Sequence, residues 1–267
     1  MDVQNITDLY SKGLSLAKIA SQFQSTPSKI NWILKKNGVK LRSLSESHIR
    51  EAANYDFFGK IDSEEKAYWL GFLYADGSVT HNSLKLSLHP KDIYHLEKFK
   101  KSLDSSHKIF FDRKYPKLAI TNKQIYQDLL KNGCLERKTL LIRFPDEKTV
   151  PKNLINHFIR GYFDGDGSIN YSEHKKYKYT LWKFEICSNR LFLECLKEEF
   201  IKLSGINIDC VLYKEKRTES EIFYFKIGGQ TCKNLNLIYK FLYNNSSIFL
   251  ERKKQKFEEI IKLVNDK

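Results

Sequence analysis

Polar and apolar residues alternate through residues 84–88, with Leu84, Leu86 and Leu88 set against Lys85 and Ser87. That is the period of a strand with one buried and one wet face. Trp182, Phe184 and Ile186 alternate with Lys183, Glu185 and Cys187 in the same way. After each strand the period becomes helical, through Ile93, Leu96, Phe99 and Leu103 in one place and Leu191, Phe192, Cys195, Leu196 and Phe200 in the other. Further strands are predicted at 109–111 with 118–121 and at 208–213 with 222–227. Each pair leads to a helix, at 124–131 and 233–243. The last segment, 250–264, gathers Phe257, Ile260, Ile261 and Val264 on one side and reads as a packing helix.

Ahead of both series stands one nine-residue pattern. Trp69-Leu70-Gly71-Phe72-Leu73-Tyr74-Ala75-Asp76-Gly77 and Ile159-Arg160-Gly161-Tyr162-Phe163-Asp164-Gly165-Asp166-Gly167 share Gly at position three, a small residue at seven and Asp-Gly at the end. Each runs on into Ser and a β-branched residue, Ser78-Val79 and Ser168-Ile169. A unit carried twice predicts a pseudo-twofold pair of half-domains, each αββαββα. Gly71 with Ala75, and Gly161 with Gly165, lie four apart on one helical face, where small residues let two backbones approach. If the two helices pack there, their C-terminal ends converge, and Gly77 and Gly167 are expected as left-handed closing residues. Asp76 and Asp166 then sit side by side at two negative helix ends. Such a pair asks for a hard, oxygen-ligated divalent cation, Mg²⁺ or a similar ion.

Over residues 61–267 the two stretches resemble the twin motifs of the LAGLIDADG homing endonucleases, in their single-chain, two-motif form. The resemblance implies an α+β fold of tandem pseudo-twofold repeats whose wet sheet faces form a DNA-binding saddle. It implies that Asp76 and Asp166, at position eight of the motif, are the catalytic, metal-binding acids. The backbone carbonyls of Ala75 and Gly165 would be further ligands of Mg²⁺ or Mn²⁺. At position six Tyr74 replaces an acid that Asp164 retains, and that position is not a metal ligand in the family. In the implied reaction a water attacks phosphorus in line while metal ions activate it and stabilise the leaving oxygen. Positions matching the ring around such a pocket are His89, Lys91, Ser188, Asn189 and Lys226. Sequence recognition would come from the polar face of each sheet, with Lys85 and Lys183, in the major groove.

Residues 1–60 carry a different pattern. Val3, Ile6, Leu9 and Tyr10 make a short apolar face that ends at Gly13. Ser15 caps a second helix with Leu16, Ile19, Ala20 and Phe23 inward. Pro27 opens a third, which buries Ile30, Ile33 and Leu34, closes at Gly38 and turns Ser28, Lys29, Asn31, Lys35 and Lys36 outward. This resembles a helix-turn-helix DNA-binding module; a plain structural cap has the same pattern. The predicted boundaries are 1–41 for this module, 42–60 for a linker whose Arg42 and Arg50 are available to phosphates, and 61–150 and 151–267 for the half-domains.

Charge favours the same partner. Forty-six Lys and Arg against 32 Asp and Glu give +14, with a pI near 9.4, the footprint of a polyanion partner. A lysine-rich surface serves solvation alone equally well. Residues 1–60 hold nine basic and five acidic residues, a net +4, which leaves +10 for the rest. The five cysteines (134, 187, 195, 210 and 232) form no Cys-x-x-Cys, so reduced thiols are expected in place of a disulfide framework or zinc site. No run approaches the ~18 apolar residues of a membrane span. There is no signal-peptide core, and no Cys or Ser start with a His-Asn end for protein splicing.

The sequence therefore predicts a monomeric, site-specific double-strand DNA endonuclease with a long target; an intron-encoded origin is what the resemblance implies, with a free-standing gene as the alternative. An intracellular setting is expected: a bacterial or phage-infected cytoplasm, or an organelle. Three alternatives stay open: an RNA maturase that binds intron RNA, a catalytically silent DNA-binding regulator of the same fold, and a non-enzymatic binding module whose motif helices serve only the core. The regulator would be expected to lose a position-eight acid, and both are present.

Overall fold

The computed structural model describes residues 2–11, 14–41, 51–136, 141–174, 179–215 and 221–266. Its contacts divide the chain into two units, Met1–Ala52 and Ala53–Lys267. Among the described residues no helix is long and apolar enough to cross a membrane.

The smaller unit is built from α1 (Val3–Ser11), α2 (Leu16–Gln22) and α3 (Pro27–Lys36), each packed on the other two. Ile6, Tyr10, Ile19, Ala20, Ile30, Ile33 and Leu34 form its core. Ser15 Oγ accepts from the Lys18 N–H and Thr26 Oγ1 from the Lys29 N–H, both at 3.3 Å. Each hydroxyl satisfies a donor that the first helical turn leaves open. At the other end of α3, Gly38 adopts φ +72°, the left-handed closure that favours glycine. Asn31 departs from the expected outward face: it is half-buried, with Oδ1 enclosed. Gly13, Arg42 and Arg50 lie outside the described residues.

The larger unit writes one order of elements twice. The first half is α4 (Glu64–Asp76), β1 (Gly77–Thr80), β2 (Ser83–Ser87), α5 (Ile93–Ser102), β3 (Phe110–Asp112), β4 (Tyr115–Thr121) and α6 (Lys123–Lys131). The second is α7 (Ile155–Asp166), β5 (Gly167–His174), β6 (Tyr179–Asn189), α8 (Arg190–Ser204), β7 (Leu212–Lys214), β8 (Ile222–Gly229) and α9 (Cys232–Tyr243), followed by α10 (Glu251–Asn265). Both sheets are antiparallel and share a topology, β1-β2-β4-β3 and β5-β6-β8-β7. Alternation decides which face each side chain takes. Leu84, Leu86, Phe184 and Ile186 are buried, while Lys85 and Lys183 point to solvent.

Two expectations are corrected here. Residues 53–60 are part of the body and not a linker: Phe57 and Phe58 are buried in its core, and the Asn54 N–H donates to Leu103 O at 2.7 Å. Leu191 and Cys195 are exposed. The buried face of α8 runs through Phe192, Leu193, Leu196 and Phe200, and at 100° per residue positions 191 and 195 fall outside that arc.

Candidate active site

The site begins with two helices whose backbones touch. An ideal Cβ on Gly71 would lie 2.0 Å from Phe158 O, and one on Gly161 would lie 2.0 Å from Tyr68 O. No side chain fits at either position, so α4 and α7 meet at the third residue of both motifs. At the seventh residue, a Cβ on Gly165 would lie 2.3 Å from the Ala75 Cβ and 3.6 Å from the Asp76 carboxyl carbon. The helices therefore stay close to their C-terminal ends, where Asp76 and Asp166 are each the last helical residue and each exposed.

Gly77 and Gly167 do not take the left-handed conformation expected of them. They are extended, at φ −70° and −82°, because each helix passes straight into the first strand of its sheet. Glycine is needed there for space: a Cβ would lie 2.7 Å from Leu73 O at the first and 2.1 Å from the Phe163 ring at the second.

A cation underlies the second acid. Lys253, on α10, is buried, and its ammonium donates to Phe163 O at 2.7 Å, to Gly165 O at 3.2 Å and to Gly167 O. It closes the C-terminal end of α7 in place of a left-handed cap. Burial pulls its pKa down to about 8, against the opposing pull of Asp164, Asp76 and Asp166. Both motif acids also help to raise the Tyr162 pKa, although burial is the larger cause there. Tyr162 donates its hydroxyl to Cys187 O at 3.1 Å.

The helix that carries Lys253 is clamped at its start. Leu250 N donates to Asp164 Oδ2 at 2.7 Å, Lys98 pairs with Glu251, and Arg252 Nε donates to both oxygens of Asp92 at 2.8 Å. Sequence periodicity read this helix as packing alone. Lys253 was missed because a lysine between Arg252 and Lys254 looks like any solvated one.

Position six of the motif does structural work in both halves. Asp164 is buried and accepts from Tyr68 Oη at 2.8 Å, Tyr243 Oη at 2.9 Å and Leu250 N. Tyr74, its counterpart, donates to Asn132 O. Each ties its motif helix to the end of the last helix of its own repeat, one as acceptor and one as donor. Arg160, at position two of the second copy, is also fully buried. It reaches Glu64 Oε1 at 2.6 Å, Ile248 O at 2.9 Å and Leu242 O at 3.1 Å, and so stitches α4 to the second repeat.

The donor set suits a hard divalent ion. Two carboxylates end two helices whose dipoles are negative there, and a single buried ammonium opposes them. Mg²⁺ is commonly held by one or two carboxylates together with substrate phosphates. Among the described residues no cluster of three or more His, Cys, Asp or Glu competes as a metal centre.

The residues expected around the acids and on DNA take several positions. Lys85 faces solvent on β2, cross-strand from Ser78 and Ala119. Lys183 pairs with Glu185, and Lys226 lies 3.9 Å from the same carboxylate and 4.5 Å from the centre of the Tyr224 ring. His89 is exposed and caps the turn after β2, its Nδ1 accepting from the Lys91 N–H at 3.2 Å; Lys91 is exposed. Ser188 is buried. Asn189 is corrected: it is buried, its Oδ1 accepts from the Phe192 N–H and its Nδ2 donates to Ile142 O, both at 3.0 Å. Its amide is consumed in starting α8 and fastening the segment between the halves. Lys29, Lys35 and Lys36 are exposed on α3 of the smaller unit.

No family model matches the chain. It is 26% identical over 219 residues to the replication factor C small subunit of Methanocaldococcus jannaschii, a match that covers 78% of this chain and 11% of that protein's length. Solved structures show the fold. The I-LtrWI LAGLIDADG homing endonuclease bound to target DNA superposes with a TM-score of 0.53 at 16% identity, covering 80% of this chain and 92% of its own. I-GzeII in complex with its DNA target gives 0.54 at 12%, covering 78% and 92%. I-AabMI bound to uncleaved DNA gives 0.51 at 14%, covering 74% and 91%. The body has the fold of LAGLIDADG homing endonucleases.

Proposed function

We propose that this chain, built on the LAGLIDADG fold, is a site-specific DNA endonuclease that cuts both strands of a duplex. One observation carries the reading: Asp76 and Asp166 are exposed together at the ends of two helices held at backbone contact. The acids would hold Mg²⁺ or Mn²⁺, with the Ala75 carbonyl and the remaining lone pair of the Gly165 carbonyl, which already accepts from Lys253, as further ligands. When bound, the ion lowers the pKa of a water and stabilises charge on the leaving oxygen.

The rest of the chemistry belongs to the protein. Lys253 fixes the end of α7 and so the direction of the Asp166 side chain. Its ammonium offsets part of the negative charge that phosphate brings to two carboxylates. The exposed polar faces of the sheets, with Lys85, Lys183 and Lys226, would lie along the duplex. Lys183 and Lys226 would exchange Glu185 for phosphate or a base edge. Both motifs lie in one chain, so a monomer with a long, non-palindromic target is the natural form. The three-helix unit would be a helix-turn-helix DNA-binding module. Intron-borne origin and intron RNA as a second partner follow the same family analogy.

The test is cleavage of a library of duplex targets with Mg²⁺ and with EDTA. Asp76→Asn and Asp166→Asn should each abolish double-strand cutting while duplex binding persists, because a metal ligand is lost and no phosphate contact is. Normal cutting by either variant, or by the wild type in EDTA, would refute the assignment.

A further inference from the structure

The free face of α3 has an unexpected centre. Ile30, Ile33 and Leu34 point into the core of the smaller unit, and at 100° per residue the opposite side of the helix is Ser28, Trp32 and Lys35. Trp32 is 59% exposed, whereas Trp69 and Trp182 are 0% and 2% exposed. The Lys36 ammonium stands 4.9 Å from the centre of the Trp32 ring, within cation–π range. From residue 15 to residue 41 there are five lysines and no Asp or Glu.

We propose that this face reads duplex DNA, with the Trp32 indole against base edges in the major groove and Lys29, Lys35 and Lys36 on the flanking phosphates. The proposal rests on the reading of the chain as a DNA-binding protein and adds the residue through which its small unit touches bases. The α2–α3 pair has the form such contact requires: two short helices joined by residues 23–26, with Thr26 and Pro27 opening the second. A helix fits the major groove, where the thymine methyl offers an apolar contact to a side chain.

Other partners fit less well. The lysines around the indole, with no Asp or Glu from residue 15 to residue 41, suit a polyanion better than a protein surface of mixed charge. Single-stranded nucleic acid is held by successive stacking platforms along a groove, which one ring on a convex helix does not supply. Asn31, the polar residue that sequence placed on this face, has its Oδ1 enclosed and is a weaker reader than its neighbour.

Trp32 reports on its own occupancy. With the other two indoles buried, acrylamide quenching of the full-length chain measures mainly Trp32. In EDTA, mixed-sequence duplex should protect it and lower the quenching constant severalfold. Trp32→Ala should weaken duplex binding about tenfold or more without changing the slope of log K against log salt, since an apolar contact displaces no counterion. Lys35→Ala and Lys36→Ala should each make that slope shallower by about 0.9. Bound duplex that leaves Trp32 fully quenchable, or a Trp32→Ala chain that binds as the wild type does, overturns the inference and spares the endonuclease reading. Absence of duplex binding even at low salt overturns both. Protection that grows with protein concentration before DNA is added shows that a second copy covers the face, and also overturns the inference.

Discussion

The hydroxyl of Tyr68, on the first motif helix, donates to Asp164 on the second at 2.8 Å, and both side chains are buried. The Tyr243 hydroxyl and the Leu250 N–H converge on the same carboxylate. Burial raises the Asp164 pKa, and Lys253 with these donors pulls it back. One buried carboxylate thus joins the two motif helices to α9 and to the start of α10.

Removing one donor from that joint should cost less than removing the acceptor. Tyr68→Phe leaves Asp164 two partners and is expected to lower stability by about 1–2 kcal/mol. Asp164→Asn turns an amide N–H₂ toward groups that are themselves donors, and should cost ~3 kcal/mol. Urea midpoints measure both. Only Asp164→Asn should also slow cleavage, because it releases the start of the helix that carries Lys253. Equal midpoints for wild type and Asp164→Asn would show that the joint is idle.

A single methyl group tests the crossing of α4 and α7. Gly71→Ala and Gly161→Ala each place a Cβ 2.0 Å from a carbonyl oxygen of the other helix, so the helices must part. The expected destabilisation is ~1–3 kcal/mol, with a larger loss in cleavage than in stability, since both acids ride on those helices. Thermal melting beside a cleavage time course separates the two effects.

Adjacent lysines on α10 should behave in opposite ways. Lys253→Met leaves three carbonyls, two of them buried, without their donor and is expected to cost ~3 kcal/mol and most of the cleavage activity. Lys254 meets Glu258 at 2.7 Å on the surface, and Lys254→Met should change stability by ~0–1 kcal/mol. Matching effects at the two positions would contradict the cap assigned to Lys253.

His95 predicts the acid side of the stability profile. Its Nε2 lies 2.9 Å from the Tyr68 hydroxyl, and burial first, with the Lys98 and Arg252 charges next, lowers its pKa from 6.5 to about 3. Over that interval the unfolded chain binds a proton that the folded chain refuses. Stability should therefore fall as pH drops below about 6.5, by up to ~1.4 kcal/mol per unit. His95→Gln should lose less stability than the wild type between about pH 7 and pH 5. Parallel profiles would disprove this.

The two units have separate cores, so residues 53–267 should fold without 1–52. The truncated chain should bind duplex more weakly and with a shallower salt slope, by about 0.9 for each phosphate contact removed. An unchanged slope would place Lys29, Lys35 and Lys36 off the DNA.

Much of this architecture was legible in the sequence because apolar periodicity reports what is buried. Both repeats and the strand faces followed from it, and the close approach of the motif helices from small residues spaced four apart, Gly71 with Ala75 and Gly161 with Gly165. What escaped was the buried polar group. Arg160, Lys253 and Asp164 sit where charge is costly unless partnered, and their partners lie on elements distant in sequence. Arg160 meets Glu64 and Ile248, and Lys253 meets the carbonyls of α7. Asn189 was misplaced for a related reason, since a polar residue at a strand end serves equally as a helix cap or as a solvent contact. Gly77 and Gly167 were assigned to the wrong need, space being what glycine supplies there.

The contact at Gly71 and Gly161 is between main chains, with no layer of side chains between them. A joint made of side chains can be retuned by substitution, a methylene at a time; one made of backbone has a single length. The distance from one acid to the other is in that sense a ruler cast into the fold. The exposed sheet faces on either side can drift, one residue after another, while the spacing between Asp76 and Asp166 stays as it was.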